Sequence, residues 1–359
     1  MERRGDRALD ITQHLAELTR LSSITGRERA VAEYLLQAWA PLVDEAYLDR
    51  LGSYVGVKRG EGPEPRPRVL AAAHIDSIGG VVTAIEPGGF IRFNPVGGVD
   101  RRLLMAQEME VHGRRVIPGV VGSKPPHVTS PEERKRLVPV EELYIDTGLP
   151  EDEVRALVQV GDPVLFRYQF RILQNGRISS RYLDNRASQA ALAVALQELQ
   201  GLRHSADFYA VGTVGEEFGA YAGATAAAFA LQPDIAIAVD VTFARHPGAE
   251  KDTFPLGGGP AIGVGPSCTP QVVKLMRKVA EEVGIDYQVE VMAGPSGTDA
   301  WGMQEVRGGV ATAILSIPLR YMHTPVELVD LADIRQAGRL LAHVVARIDQ
   351  AFVEELRCF

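Results

Sequence analysis

The chain has 359 residues, 46% hydrophobic and 23% charged, the make-up of a folded globular protein of about two domains and not of a disordered chain or fibre. Acidic residues outnumber Lys plus Arg by 46 to 38, a net charge of -8, which argues against a nucleic-acid or anionic-membrane binder. Two cysteines, Cys268 and Cys358, exclude a disulfide framework and a Cys-built zinc site and fit a reducing compartment; with no signal-peptide pattern and no apolar run of about 18 residues, the expected location is cytoplasmic.

Ile11, Leu15, Leu18 and Leu21 recur at helical spacing. A second helix is predicted from Glu28 to Ala40, closed by Pro41. Two β-like segments follow, Ala46 to Asp49 and Tyr54 to Val57, then a Pro- and Gly-rich loop from Gly60 to Pro67. The apolar run Val69 to Ala73 reads as a buried strand that ends at His74. From Gly80 to Leu173 the texture changes to short alternating segments broken by Gly and Pro, with one helical piece near Pro150 to Leu157. This is the pattern of a small β-rich domain such as a barrel. From Ser179 the α/β alternation returns. Helices are predicted at Arg186–Leu199, Glu217–Leu231, Pro270–Val283 and Ala332–Val353, and strands at Phe208–Val214, Ile235–Val239, Tyr287–Met292 and Gly309–Leu315. The simplest organisation is an α/β domain of residues 1–79 and 174–359, interrupted by a β-rich insertion of residues 80–173.

Polar residues gather where the predicted strands end. His74 and Asp76 follow one strand, Glu216 and Glu217 another, and Asp240 ends a third. Asp184 and Asn185 open a helix, and His323 follows the strand that ends near Ile317. Singly, each has an ordinary use: Asp184 as an N-cap, Glu216-Glu217 as a solvated pair at a helix start, Asp240 and His323 as turn residues. Together they fall where open α/β sheets bind ligands, beyond the carboxyl ends of the strands. His, Asp and Glu without Cys suit a hydrolytic Zn, Co or Mn site, and the set is large enough for two ions sharing one bridging carboxylate. Gly257-Gly258-Gly259-Pro260 lacks the Lys-Ser/Thr of a phosphate loop and reads as a tight loop. Ser188 and Ser296 lie outside a nucleophile elbow.

At these residues the sequence resembles the tetrahedral aminopeptidases, the co-catalytic metallopeptidases that include glutamyl and deblocking aminopeptidases and some members labelled endoglucanase. The matching motifs are Ala73-His74-Ile75-Asp76, Leu183-Asp184-Asn185-Arg186, Glu216-Glu217-Phe218-Gly219, Val239-Asp240-Val241-Thr242, Gly297-Thr298-Asp299-Ala300 and Arg320-Tyr321-Met322-His323-Thr324-Pro325. Gly122-Ser123-Lys124-Pro125-Pro126-His127 and Ile145-Asp146-Thr147-Gly148 match the family's inserted domain. The resemblance implies a zinc-peptidase-like mixed sheet flanked by helices, with an inserted β-barrel used for dimerisation and a hollow homo-oligomeric dodecamer. It implies two divalent ions per chain, Zn2+ first with Co2+ or Mn2+ as alternatives. His74 and Asp240 would hold one ion and Glu217 and His323 the other, with Asp184 bridging. Glu216 would be the general base, Asp76 would hold the His74 imidazole, and the Asp184-Asn185 peptide would be cis. The implied substrates are short peptides. Two departures stand out. Ser77 replaces a common acidic residue, and the Gly219–Gly223 spacing is one residue long. Rival readings are a metal-dependent N-acyl amino-acid deacylase, a glycoside hydrolase, which leaves His74 and His323 without a task, and a non-catalytic shell, for which Glu216 beside a ligand set has no use.

Overall fold

The computed structural model describes residues 9–356, so Cys358 and the N-terminal Met1–Asp6 segment lie outside the described residues. Four parallel strands form the centre of a large mixed sheet: Asp207–Thr213, Arg68–His74, Ile235–Phe243 and Ala311–Arg320, in that spatial order. Nearly every residue in them is buried. Continuous apolar runs rather than alternation are what a strand covered on both faces requires. Antiparallel strands extend the sheet on one side through Tyr54–Lys58 to Glu45–Leu48. On the other side it continues through Glu327–Asp330 and Arg177–Ser180 to Phe170–Ile172. The strand Ala261–Val264 branches from Ala311–Arg320 and carries Gln288–Val291 at its outer edge.

The helix Leu183–Leu199 lies against this sheet with every residue but Gln197 and Glu198 buried. Its alanines let it approach both the sheet and the helix Leu331–Val345. At their contact Gly338 is obligatory in size, since a Cβ there would stand 2.4 Å from the Ala191 carbonyl oxygen. The first helix, Ile11–Arg20, starts where the Asp10 carboxylate accepts from Thr12 N, and it buries Ile11, Leu15 and Leu18.

A second unit interrupts the sheet. Six strands, Gly79–Ile85, Ile91–Val96, Tyr144–Asp146, Val116–Gly122, Glu108–His112 and Pro163–Phe166, close into a barrel. Its alternation is visible in Val116–Gly122, where Ile117 and Val121 face inward while Val116 and Val120 are half exposed. The barrel has its own core, including Val82, Phe93, Val111, Ile145 and Phe166. Arg181, fully buried, ties the two units. It donates to the Glu110 carboxylate and the Phe166 carbonyl of the barrel, and to the Thr19 and Arg20 carbonyls at the end of the first helix.

Several expectations need correcting. The helix predicted from Glu217 begins only at Ala222, because Gly215 and Gly219 take positive φ and fold the segment between them into a turn. Asp240 does not end its strand. The strand runs on to Phe243, in register with an Ala311–Arg320 strand that itself continues past Ile317. The long closing helix is two, Leu331–Val345 and Gln350–Glu355, the second capped by the Asp349 carboxylate. Phe170–Ile172 pairs in the large sheet, so the chain leaves the barrel after Phe166, earlier than the change of texture suggests.

Candidate metal centre

His74 closes one central parallel strand and registers with Thr213 on its neighbour. Asp240 sits in the next strand, and Asp184 stands where the buried helix begins. A cis peptide joins Asp184 to Asn185, and the Asn185 amide donates to the Val239 carbonyl at 3.0 Å. The two oxygens of Asp184 face different histidines: Oδ1 is 3.1 Å from His74 Nε2, and Oδ2 is 3.2 Å from His323 Nε2. Asp240 Oδ1 lies 3.8 Å from His74 Nε2, and Glu217 Oε2 lies 3.3 Å from His323 Nε2. All five residues named from sequence as ligands therefore meet, with Asp184 in the middle. Ligand atoms of His74, Asp184 and Glu217 lie within 4.8 Å of one another.

The adjacent glutamates diverge. After Gly215 the chain turns, with Gly219 N donating to the Glu216 carbonyl. Glu216 Oε2 is sent toward His74, 3.8 Å from Nε2, while Glu217 turns to His323. Asp76 holds this turn, since its two carboxylate oxygens accept from Glu216 N and Glu217 N at 3.1 Å each, and from the Thr25 hydroxyl. Its relation to His74 is double. The shortest contact of His74 Nδ1 is the Asp76 main-chain carbonyl at 3.2 Å, with the carboxylate at 3.5 Å. Either contact uses Nδ1 and turns Nε2 to the cluster, where it can serve as a metal ligand when unprotonated.

Three contributors escaped the sequence reading. Glu327, fully buried, accepts from the main-chain N–H of both Asp184 and His323 and so fixes two members of the cluster at once. Gly98, at the edge of the barrel, accepts from His323 Nδ1 at 3.1 Å, and a Cβ there would meet that nitrogen at 2.5 Å. Asp299, within a motif quoted above, accepts from the Thr213 hydroxyl beneath the site. Only Asp299 carried a sequence signal. Ser77 faces the Ser23 carbonyl and not the cavity, whereas Tyr221, in the longer Gly219–Gly223 segment, lines it.

The electrostatics ask for cations. Burial pushes the Glu216 carboxyl up to about 8, with Asp299 and Asp184 adding to it. Burial and the nearby Asp184 do the same to Glu217. Burial, with Glu216 and Asp184 beside it, also drives Asp240 well above the usual carboxylate range. Asp184 is the exception. Burial opposes its charge, yet the His323 and His74 imidazoles hold it well below that range. Burial likewise opposes charge on the imidazoles, but the crowded carboxylates raise His323 to about 10 and His74 well above its ordinary value. Glu217 Oε1 is buried with no hydrogen-bond partner. So many buried acceptors around two inward-facing imidazole nitrogens fit divalent cations, which would supply the positive charge that protons otherwise must. The cluster opens into a cavity of about 460 Å³.

A mixed α/β sheet with a buried histidine–carboxylate cluster at its parallel strand ends defines a metal-dependent hydrolase. The profile of the M42 glutamyl aminopeptidases matches residues 52–340. The lysyl aminopeptidase of Pyrococcus furiosus is 35% identical over 342 residues, covering 93% of this chain and 94% of the relative. An aminopeptidase from the archaeon Desulfurococcus kamchatkensis superposes with a TM-score of 0.89 at 34% identity, covering 97% of both chains. The Pyrococcus horikoshii TET1 peptidase, described as able to assemble into a tetrahedron or a large octahedral shell, gives 0.82 at 30% identity, covering 94% of this chain and all of that one. The chain belongs to the M42 glutamyl aminopeptidase family, and it is a metal-dependent aminopeptidase. Neither the glycoside hydrolase nor the deacylase alternative is favoured by these likenesses.

Proposed function

We propose that the chain releases N-terminal residues from short peptides at a centre of two divalent cations, zinc first and cobalt or manganese as alternatives. His74 and Asp240 would hold one ion, Glu217 and His323 the other, and Asp184 both. The observation that carries this reading is the splayed contact of Asp184, one oxygen toward each histidine. When bound, such a pair acidifies water, polarises the scissile carbonyl and holds the free amine of the peptide. Glu216, whose Oε2 lies 3.8 Å from His74 Nε2, accepts the proton from the attacking water and passes it to the departing amine. Asp76 holds the turn so that the base and its neighbouring ligand keep separate directions. His323 is held by Gly98 through Nδ1, which keeps its tautomer.

The catalytic domain would be residues 1–79 and, with Phe170–Ile172 in the large sheet, about 167–359, and the barrel insertion, about 80–166, the dimerisation module of a cytoplasmic homo-oligomer built as a dodecamer. Half-exposed Val116 and Val120 and the more exposed Val128 on the insertion support a covered surface there. No helix of the described residues is long and apolar enough to cross a membrane.

The test is removal of metal by chelation, reloading with Zn2+, Co2+ or Mn2+, and assay on aminoacyl anilides. Activity should vanish and return with metal; full activity in metal-free protein would overturn the reading. Light scattering should find an oligomer, and a monomer at working concentration would count against the role of the barrel.

A further inference from the structure

The active cavity carries a carboxylate that the metal cluster does not use. Glu290, on the strand Gln288–Val291, lines the same cavity as His74, Asp184 and Asp240. One of its oxygens accepts from the Thr242 hydroxyl at 2.5 Å and the other from the Ser316 hydroxyl at 2.7 Å. A hydroxyl has a single proton to give, so each carboxylate oxygen keeps a further acceptor position. Among the described residues no Lys, Arg or His contributes to the charge balance of Glu290. Burial raises its carboxyl above the usual range, a penalty that an arriving cation removes.

Its place relative to the cluster is set by the sheet. Ser316 is the direct neighbour of Asp240 on the adjacent strand. Thr242 lies two residues beyond Asp240 on the same strand and face, a displacement of about 7 Å. The four-carbon stem and ammonium of a lysine span roughly that distance. Met292, Met322 and Phe243 line the cavity as well and offer apolar surface to such a stem.

We infer that Glu290 receives the side chain of the substrate's N-terminal residue and selects a cationic one, lysine or arginine. The inference rests on the proposed reading that the amine and scissile carbonyl sit at the Asp184 cluster. It departs from the family's glutamyl description, since an acidic side chain would face a second carboxylate at close range.

The experiment compares kcat/KM of the metal-loaded enzyme for Lys, Arg, Leu and Glu anilides. Lys and Arg should exceed Leu by about 10-fold or more and Glu by on the order of 100-fold. Glu290→Gln keeps the shape, its amide oxygen accepting from one hydroxyl and its amide nitrogen donating to the other. It should lower kcat/KM for Lys and Arg by roughly 10–100-fold and leave Leu within about 3-fold. Wild-type preference for Leu or Glu would overturn the inference, as would an equal loss on all four substrates in the variant. Should the variant fail to fold, wild-type inhibition decides. Lysine amide should bind more tightly than norleucine amide, which has the stem without the charge, and equal inhibition would overturn the assignment. Hydrolysis of none of the four by metal-loaded enzyme would instead break the aminopeptidase reading itself.

Discussion

The two histidines of the cluster are held in opposite ways. His74 ends a central parallel strand, its side chain 2% exposed, with its neighbour Thr213 fixed by the sheet register. His323 stands in the turn between Ala311–Arg320 and Glu327–Asp330, at φ 63, its side chain 31% exposed. It is steadied by a barrel carbonyl at Gly98 and by Glu327. One half of the site is thus a property of the sheet, and the other depends on a loop and on a second folding unit. A cation on the His323 side should therefore be the first to leave when the protein is perturbed, because local opening begins where fewer buried contacts hold the backbone.

The largest effect should erase the difference. Asp184→Asn removes the anionic group shared by both sides, so both metal affinities should fall and kcat should drop on the order of 10³-fold or more. Retention of one ion at full affinity would show that Asp184 serves one side only. A smaller change should separate the sides. Gly98→Ala pushes a methyl group toward His323 Nδ1 and displaces its acceptor. The second ion should bind about 10–100-fold more weakly while the first is unchanged, as followed by calorimetric titration. Equal weakening of both would remove the basis for treating the halves as distinct. The smallest effect is expected at Ser77→Ala. Its hydroxyl makes one long contact with the Ser23 carbonyl and does not reach the cavity, so stability should change by about 1 kcal/mol or less and kcat hardly at all. A large loss of kcat would place Ser77 in the catalytic machinery.

The same contrast governs what could be read from sequence. The central strands announce themselves as unbroken apolar runs, and the polar residues at their ends stand out against them; His74 is the clearest case. Asp240 was legible as a polar residue in an apolar run but not as an interior strand position, because only pairing with Ala311–Arg320 carries the strand on to Phe243. The helix start at Ala222 was hidden because Glu216, Glu217 and Phe218 are compatible with a helix, and the positive φ at Gly215 and Gly219 decides otherwise. Gly98, Glu327 and Glu290 were invisible for a different reason. Each reaches the site through tertiary packing of the insertion, a turn or an edge strand, and nothing local distinguishes them from any other Gly or Glu.

The central claim is that Glu216 and Glu217, adjacent and chemically alike, do different work. Its most direct test is metal content measured beside kcat for Glu216→Gln and Glu217→Gln. Glu216→Gln should retain about two ions per chain while kcat falls ~10²–10⁴-fold, since the base is lost and the ligands are not. Glu217→Gln should lose the ion on the His323 side and regain part of its activity when metal is added. Loss of an ion from Glu216→Gln with both retained in Glu217→Gln would reverse the roles, and near-normal kcat in both variants would contradict the assignment of the site.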